Sequence, residues 1–150
     1  LKVMEKCVDR LKSFDIPVEV RICSAHRTPA VAEQLAKNAA EEGFGVIIAA
    51  AGKAAHLGGV LAAYTTLPVI GVPMATSVMG GMDSLLSIVQ MPKGIPVATV
   101  AIDGADNAAI LAAQMIALSD EALAAKLAAF KADMAAEVTA KDEKVRAQFA

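Results

Sequence analysis

The sequence predicts an α/β fold of three layers, a parallel sheet with helices on both faces. Three observations lead there. Short apolar runs at 17–23, 46–50, 68–73 and 97–102 alternate with helical segments at about 30–42, 55–64, 80–90 and 105–118. The runs are apolar on both faces, as a sheet covered on both sides requires. Residues able to do chemistry collect just after the runs, at the edge where open parallel sheets bind ligands.

In chain order, residues 1–14 read as an amphipathic helix with Val3, Cys7, Val8 and Leu11 on one face. No strand precedes it. In the common strand order 2-1-3-4-5 the first strand lies in the middle. The sheet therefore predicts a further strand and loop N-terminal to Leu1, filling a gap between the runs at 17–23 and 46–50. The run Pro17-Val18-Glu19-Val20-Arg21-Ile22-Cys23 leads into Ser24-Ala25-His26-Arg27-Thr28-Pro29. Thr28 is expected to cap the next helix, with Pro29 at its first position, where a missing N–H costs nothing.

The tail differs from the rest. Leu123, Leu127, Phe130, Met134 and Val138 recur at helical spacing after Asp120. A helix over 120–149 would span about 45 Å, more than the width of a domain of this size. Residues 1–150 are read as one domain whose C-terminal helix packs on a neighbouring subunit. The charged end after Lys141 is the part that would fray without such a neighbour.

Composition narrows the partners. A net charge of −2 gives no reason to expect nucleic acid or an anionic membrane. An apolar content of 56%, much of it alanine, predicts surplus apolar surface and a homo-oligomer. Cys7 and Cys23 are expected to be free, buried thiols, which fits a reducing, cytoplasmic setting. No signal peptide is read. The longest apolar region, 46–64, is broken by Lys53 and His56, so no membrane helix is expected.

Three loops follow strand ends and should converge. The first holds Ser24, His26 and Arg27. The second is 51–59, with Gly52, Lys53, Ala54, Ala55, His56 and Leu57. The third is 74–81. Helix N-termini attract anions, and Arg27 adds a planar cation suited to phosphate or carboxylate. Imidazole takes up and releases a proton near neutral pH. Both histidines of the chain fall at this edge, in separate loops. Asp103 is read as a turn or cap residue, and Asp83 and Ser84 as capping or dipole compensation. Residues 90–96 precede a strand, so they are expected at the opposite end of the sheet, useful only to a neighbour's site. No Walker loop, dinucleotide fingerprint, nucleophile elbow or metal spacing occurs.

Taken together, Ser24–Pro29 (SAHRTP), Ala54–Leu57 (AAHL) and Asp83–Val100 (DSLLSIVQMPKGIPVATV) resemble the class I N5-carboxyaminoimidazole ribonucleotide mutases of purine biosynthesis. These form the bacterial branch of the aminoimidazole ribonucleotide carboxylase fold. The resemblance runs the length of the chain. It implies a flavodoxin-like sheet, an octamer with sites at subunit contacts, and a C-terminal helix that reaches a neighbour. It implies an isomerase working without metal, ATP or organic cofactor. Carbon dioxide leaves the exocyclic amine of a ribonucleotide and is recaptured by carbon 4 of the imidazole.

By the same resemblance His26 is the general acid/base, and Arg27 pairs with the ribose phosphate. Ser24 and Ala25 line the pocket. Gly52, Lys53, Ala54, Ala55 and Leu57 enclose the trapped carbon dioxide, with His56 facing the reacting carboxylate. The family also implies a strand and a GSxSD loop before Leu1, holding phosphate and ribose; a chain without them is expected to turn over weakly or not at all. The family's GAGGAAHLPG reads here with Lys53 for a glycine and Gly58 for the proline. The Lys53 ammonium is expected in solvent. The related branch that uses free carbon dioxide shows SAHK and AGRSN loops; Arg27 and His56 argue against it, while Lys53 leans towards it. A catalytically idle ligand-binding or assembly module is the reading from another class.

Overall fold

The computed structural model describes Lys2–Ala150. Its helices are α1 (Lys2–Ser13), α2 (Pro29–Asn38), α3 (Leu57–Tyr64), α4 (Met82–Val89), α5 (Ala105–Ala117) and α6 (Glu121–Phe149). Three strands, β1 (Ile47–Ala51), β2 (Val69–Pro73) and β3 (Ala98–Thr99), form a parallel sheet in the order β1-β2-β3. Ile48 lies opposite Ile70, and Ile70 opposite Ala98.

The period of two decides the layers. On one face Ile70 and Val72 pack with Cys7 and Leu11 of α1 and with the alanines of α5. On the other, Ala49 packs with Ala32 and Ala36 of α2 and Leu61 of α3. Gly71 faces Ile88 of α4 and Val97. Helices thus cover both faces, and β2, buried at every residue, is the centre of the core.

The sequence expectation of four strands needs correction. Residues 17–23 form no strand and belong to no ladder. Val18 packs on the main core and Cys23 on the second one, while Val20 is 55% and Ile22 90% exposed. An extended segment becomes a strand only through a neighbour's N–H and C=O groups. Among the described residues no segment pairs with 17–23. The run at 97–102 is a ladder for two residues only. It still follows β2 to its end, through Val100 N–H to the Gly71 carbonyl (3.1 Å) and Asp103 N–H to the Pro73 carbonyl (2.8 Å).

The alanine content has an internal use. Ala105, Ala108, Ala109, Ala112 and Ala113 form one buried stripe along α5 at helical spacing. Methyl side chains let α5 lie close to β2 and α1. Part of the apolar surplus read as interface surface is therefore core. Arg10 of α1 forks onto Asp106 of α5, Nε to Oδ1 at 2.8 Å and Nη2 to Oδ2 at 3.3 Å. Its guanidinium also lies 4.7 Å from the Phe130 ring centre, and Phe14 meets Phe130 edge-on at 5.6 Å.

These contacts fasten the first turns of α6, together with Leu123 and the Asp120 cap, whose Oδ1 accepts from Leu123 N–H at 2.9 Å. Lys126 also pairs with Asp15 and holds its carboxyl below the usual range, through the hydrogen bond first and charge second. From Lys131 onward every residue of α6 is exposed, and the helix spans as far as Phe149.

Both cysteines are free, but only Cys7 is buried; Cys23 is partly exposed. Burial, reinforced by the nearby Asp106 charge, pushes the Cys7 thiol up to about 11. It stays protonated at neutral pH and acts as a small apolar group. Among the described residues no helix is long and apolar enough to cross a membrane.

Candidate active site

The first loop closes on itself. Ser24 N–H donates to Thr28 Oγ1 (2.8 Å), Thr28 N–H to the Ser24 carbonyl (2.9 Å), and Arg27 N–H to Ser24 Oγ (3.2 Å). Pro29 occupies the first helical position as expected, but the Thr28 hydroxyl does not cap α2. It ties the loop instead, because its oxygen accepts from Ser24 rather than from the helix. The knot presents His26 and Arg27 to solvent, with Ser24 and Ala25 partly covered behind them. Among the described residues the Arg27 guanidinium has no ion-pair partner and stands free for an anion.

The second loop brings the other histidine to the first. His26 Nε2 lies 2.9 Å from His56 Nδ1, the rings 5.0 Å apart and inclined at 78°. One facing nitrogen donates and the other accepts, so one proton lies between the rings. His56 is the residue before α3, and its N–H reaches back to the Ala54 carbonyl at 2.9 Å. Gly52, Lys53 and Ala54 are exposed, Leu57 is partly covered, and Ala55 is buried, supporting the loop from beneath. Lys53 is exposed and holds a left-handed backbone, φ +60°. Among the described residues its ammonium has no ion-pair partner.

The third loop joins the same edge. Met74 N–H donates to the Ala51 carbonyl at 2.9 Å, and Ala75 N–H to Asp103 Oδ1 at 2.9 Å. Asp103, itself left-handed, is thus a turn residue that also ties this loop to the last strand. Gly81 ends the loop at φ +103°, where a Cβ would meet Ile102 Cγ2 at 2.7 Å; only glycine fits.

Two features escaped the sequence reading. Asp83 sits in the first turn of α4, as dipole compensation requires, but neither it nor Ser84 caps the helix, which has no side-chain cap; both also bind loops. Asp83 Oδ1 accepts from Thr76 Oγ1 at 2.8 Å, and Ser84 Oγ accepts from Lys53 N–H at 2.8 Å. Residues 90–96 are not remote from the site. Met91, Pro92 and Ile95 line one groove of about 330 Å³ with His56, Gly59, Val60 and Ser87. The segment folds back along α3, and Met91 rests so near Gly59 that a Cβ there would lie 3.0 Å from its sulfur. The serine spacing on α4 was the only local hint of the first feature; the second had none.

The parallel α/β sheet thus carries two imidazoles in contact, next in sequence to an Arg27 without an ion-pair partner among the described residues, at the edge where such sheets bind ligands. Comparison narrows the class. Residues 1–137 match the family model described as AIR carboxylase. The N5-carboxyaminoimidazole ribonucleotide mutase of Mycobacterium leprae is 54% identical over 140 residues, 93% of this chain and 82% of that protein. The mutase of Methanocaldococcus jannaschii is 52% identical over 149 residues, 99% of this chain and 92% of that one. Treponema denticola PurE has the same fold, with a TM-score of 0.84, 28% identity, and coverage of 95% of this chain and 89% of its own. The chain belongs to the AIR carboxylase family.

Proposed function

We propose that this chain converts N5-carboxyaminoimidazole ribonucleotide to the 4-carboxy isomer, an intramolecular carboxyl transfer in purine biosynthesis. The observation that carries the reading is the contact between His26 and His56, made across two loops beside the free Arg27. The relatives bearing the mutase name at about half identity support it.

The chemistry balances through one proton. The carbamate C–N bond breaks, carbon dioxide leaves, and the amine nitrogen takes a proton from His26. Carbon 4 then forms a bond to the same carbon dioxide, and its own proton returns to His26. His56, in hydrogen-bond contact, holds that imidazole in orientation and can take or return the proton through the facing nitrogens. Arg27 pairs with the phosphate as a fork of donors, with Ser24 and Ala25 behind it. Gly52, Lys53, Ala54, Ala55 and Leu57 form the wall that keeps carbon dioxide near carbon 4 and water away. Such a substrate is made and used in the cytoplasm, where we place the protein.

The deciding assay follows ultraviolet absorbance on the carbamate substrate without ATP or metal, beside a cell holding aminoimidazole ribonucleotide and bicarbonate. Fast turnover in the first cell and slow reaction in the second is the expected result. Turnover only with bicarbonate would transfer the chain to direct carboxylation. Silence in both, with ligand still bound, would make it an idle binding module.

We further infer that 120–149 packs on a neighbouring subunit of an octamer. Met134, Val138, Val145 and Phe149 are exposed at spacings of a helical stripe, with nothing among the described residues to cover them. Light scattering is expected to give an octamer; a mass near the 15.4 kDa of one chain would refute it.

A further inference from the structure

We propose that Asp83, Ser84 and Ser87 of α4 are positioning residues that set the height at which the second loop presents His56 to His26. The inference rests on the mutase reading for its kinetic consequence but not for its geometry.

Ser84 is the one buried polar side chain among the described residues, with no exposed surface at all. A hydroxyl in that position needs a partner. A helical serine ordinarily bonds back to the carbonyl four residues earlier, as Ser87 does to Asp83 at 2.6 Å. Ser84 instead accepts from the N–H of Lys53 at 2.8 Å. Ser87 Oγ also lies 3.3 Å from the Lys53 carbonyl. Lys53 is therefore met by α4 at both its N–H and its carbonyl. The Asp83 carboxylate takes the Thr76 hydroxyl, which in turn receives Met79 N–H at 3.4 Å. One helix turn thus clasps the second and third loops together.

What the clasp holds is costly to hold. Lys53 is left-handed, a conformation that a side chain disfavours. From Lys53 only Ala54 and buried Ala55 intervene before His56. The His56 N–H to Ala54 carbonyl bond shortens that path further. Releasing the Lys53 N–H lets the loop relax towards an ordinary backbone. The relaxation carries Nδ1 of His56 away from Nε2 of His26.

Ser84→Ala tests this, since it removes one oxygen from a helix that accepts alanine readily. Two readouts are taken. Nitrogen-15 NMR of the imidazoles reports the hydrogen bond between the two rings without any turnover. Steady-state kinetics on the carbamate reports its consequence. The bond signature is expected to disappear in Ser84→Ala, and kcat to fall about 10- to 100-fold with KM changed less than about twofold. Adding Lys53→Gly is expected to restore the signature and part of kcat, because glycine takes the left-handed conformation unaided. Ser87→Ala should show the same pattern more weakly, and it supplies the test if Ser84→Ala does not fold. A Ser84→Ala protein that keeps the ring–ring signature overturns the proposal. So does one that loses it with no recovery from Lys53→Gly. If the unaltered chain shows no turnover, the mutase reading fails while the NMR arm still decides the clasp.

Discussion

Replacing His26 with asparagine lowers turnover of the carbamate substrate by about 10²- to 10⁴-fold, the usual contribution of a positioned general acid/base. The fold stays intact. His26 is exposed and its ring is held by one hydrogen bond, to His56 Nδ1. No core cluster includes it. Asparagine keeps a polar side chain, but it ends about where Nδ1 stands, short of Nε2, and it cannot accept and return a proton. The loss is therefore expected in kcat, with an unchanged thermal melt and unchanged assembly. His56→Asn is expected to fall less far, because it removes the partner of the acid/base and leaves the acid/base itself. Full activity in His26→Asn would rule out the proton-transfer role of this residue and return the site to anion binding alone.

Gly71→Ala is expected to cost about 3 kcal/mol of stability, the upper part of the range for overpacking a close-packed core. Gly71 lies in the middle of β2, with every residue of the strand buried. A Cβ there would sit 2.3 Å from Ile88 Cγ2 and 3.0 Å from Val97 Cγ1. Ile88 is itself buried, so it cannot swing into solvent to make room. For a chain of this length about 3 kcal/mol lowers the melting temperature by roughly 6–12 °C. Ile88→Leu in the same chain moves the branch one carbon outward and is expected to recover part of the loss. Urea denaturation of the single and double variants reads both effects. An unchanged midpoint for Gly71→Ala would mean that α4 does not bear on the sheet as described. Because α4 also carries Ser84, the substitution is expected to loosen the second loop as well.

Much of the architecture was legible because it depends on local pattern. Apolar periodicity placed β1 and β2 within a residue of their observed limits, and α5 and α6 likewise. A chain alternating such elements has few ways to fold other than as a parallel sheet between helices. The same reasoning put both histidines and Arg27 at the C-terminal edge of the strands, where the structure holds them. Thr28 and Ser84 show where local pattern stops. Each is a residue that commonly caps a helix, and each sits near a helix start. Yet the Thr28 hydroxyl closes its own loop and the Ser84 hydroxyl is buried against Lys53. A hydroxyl goes to whichever unpaired donor the fold brings nearest, and propensity does not contain that distance.

By itself, then, the sequence determined the succession of elements, the face each buries, and the loops that bear chemistry, since these follow from side-chain size, polarity and spacing along the chain. Only the tertiary structure decided which of them meet. It left residues 17–23 unpaired, because a strand exists through its neighbour's backbone groups. It spent the alanines of α5 on close internal packing. It brought His26 and His56, 30 residues apart, to within 2.9 Å. A proton can be shared only over such a distance, and that distance is a property of how three loops and α4 lie against one another.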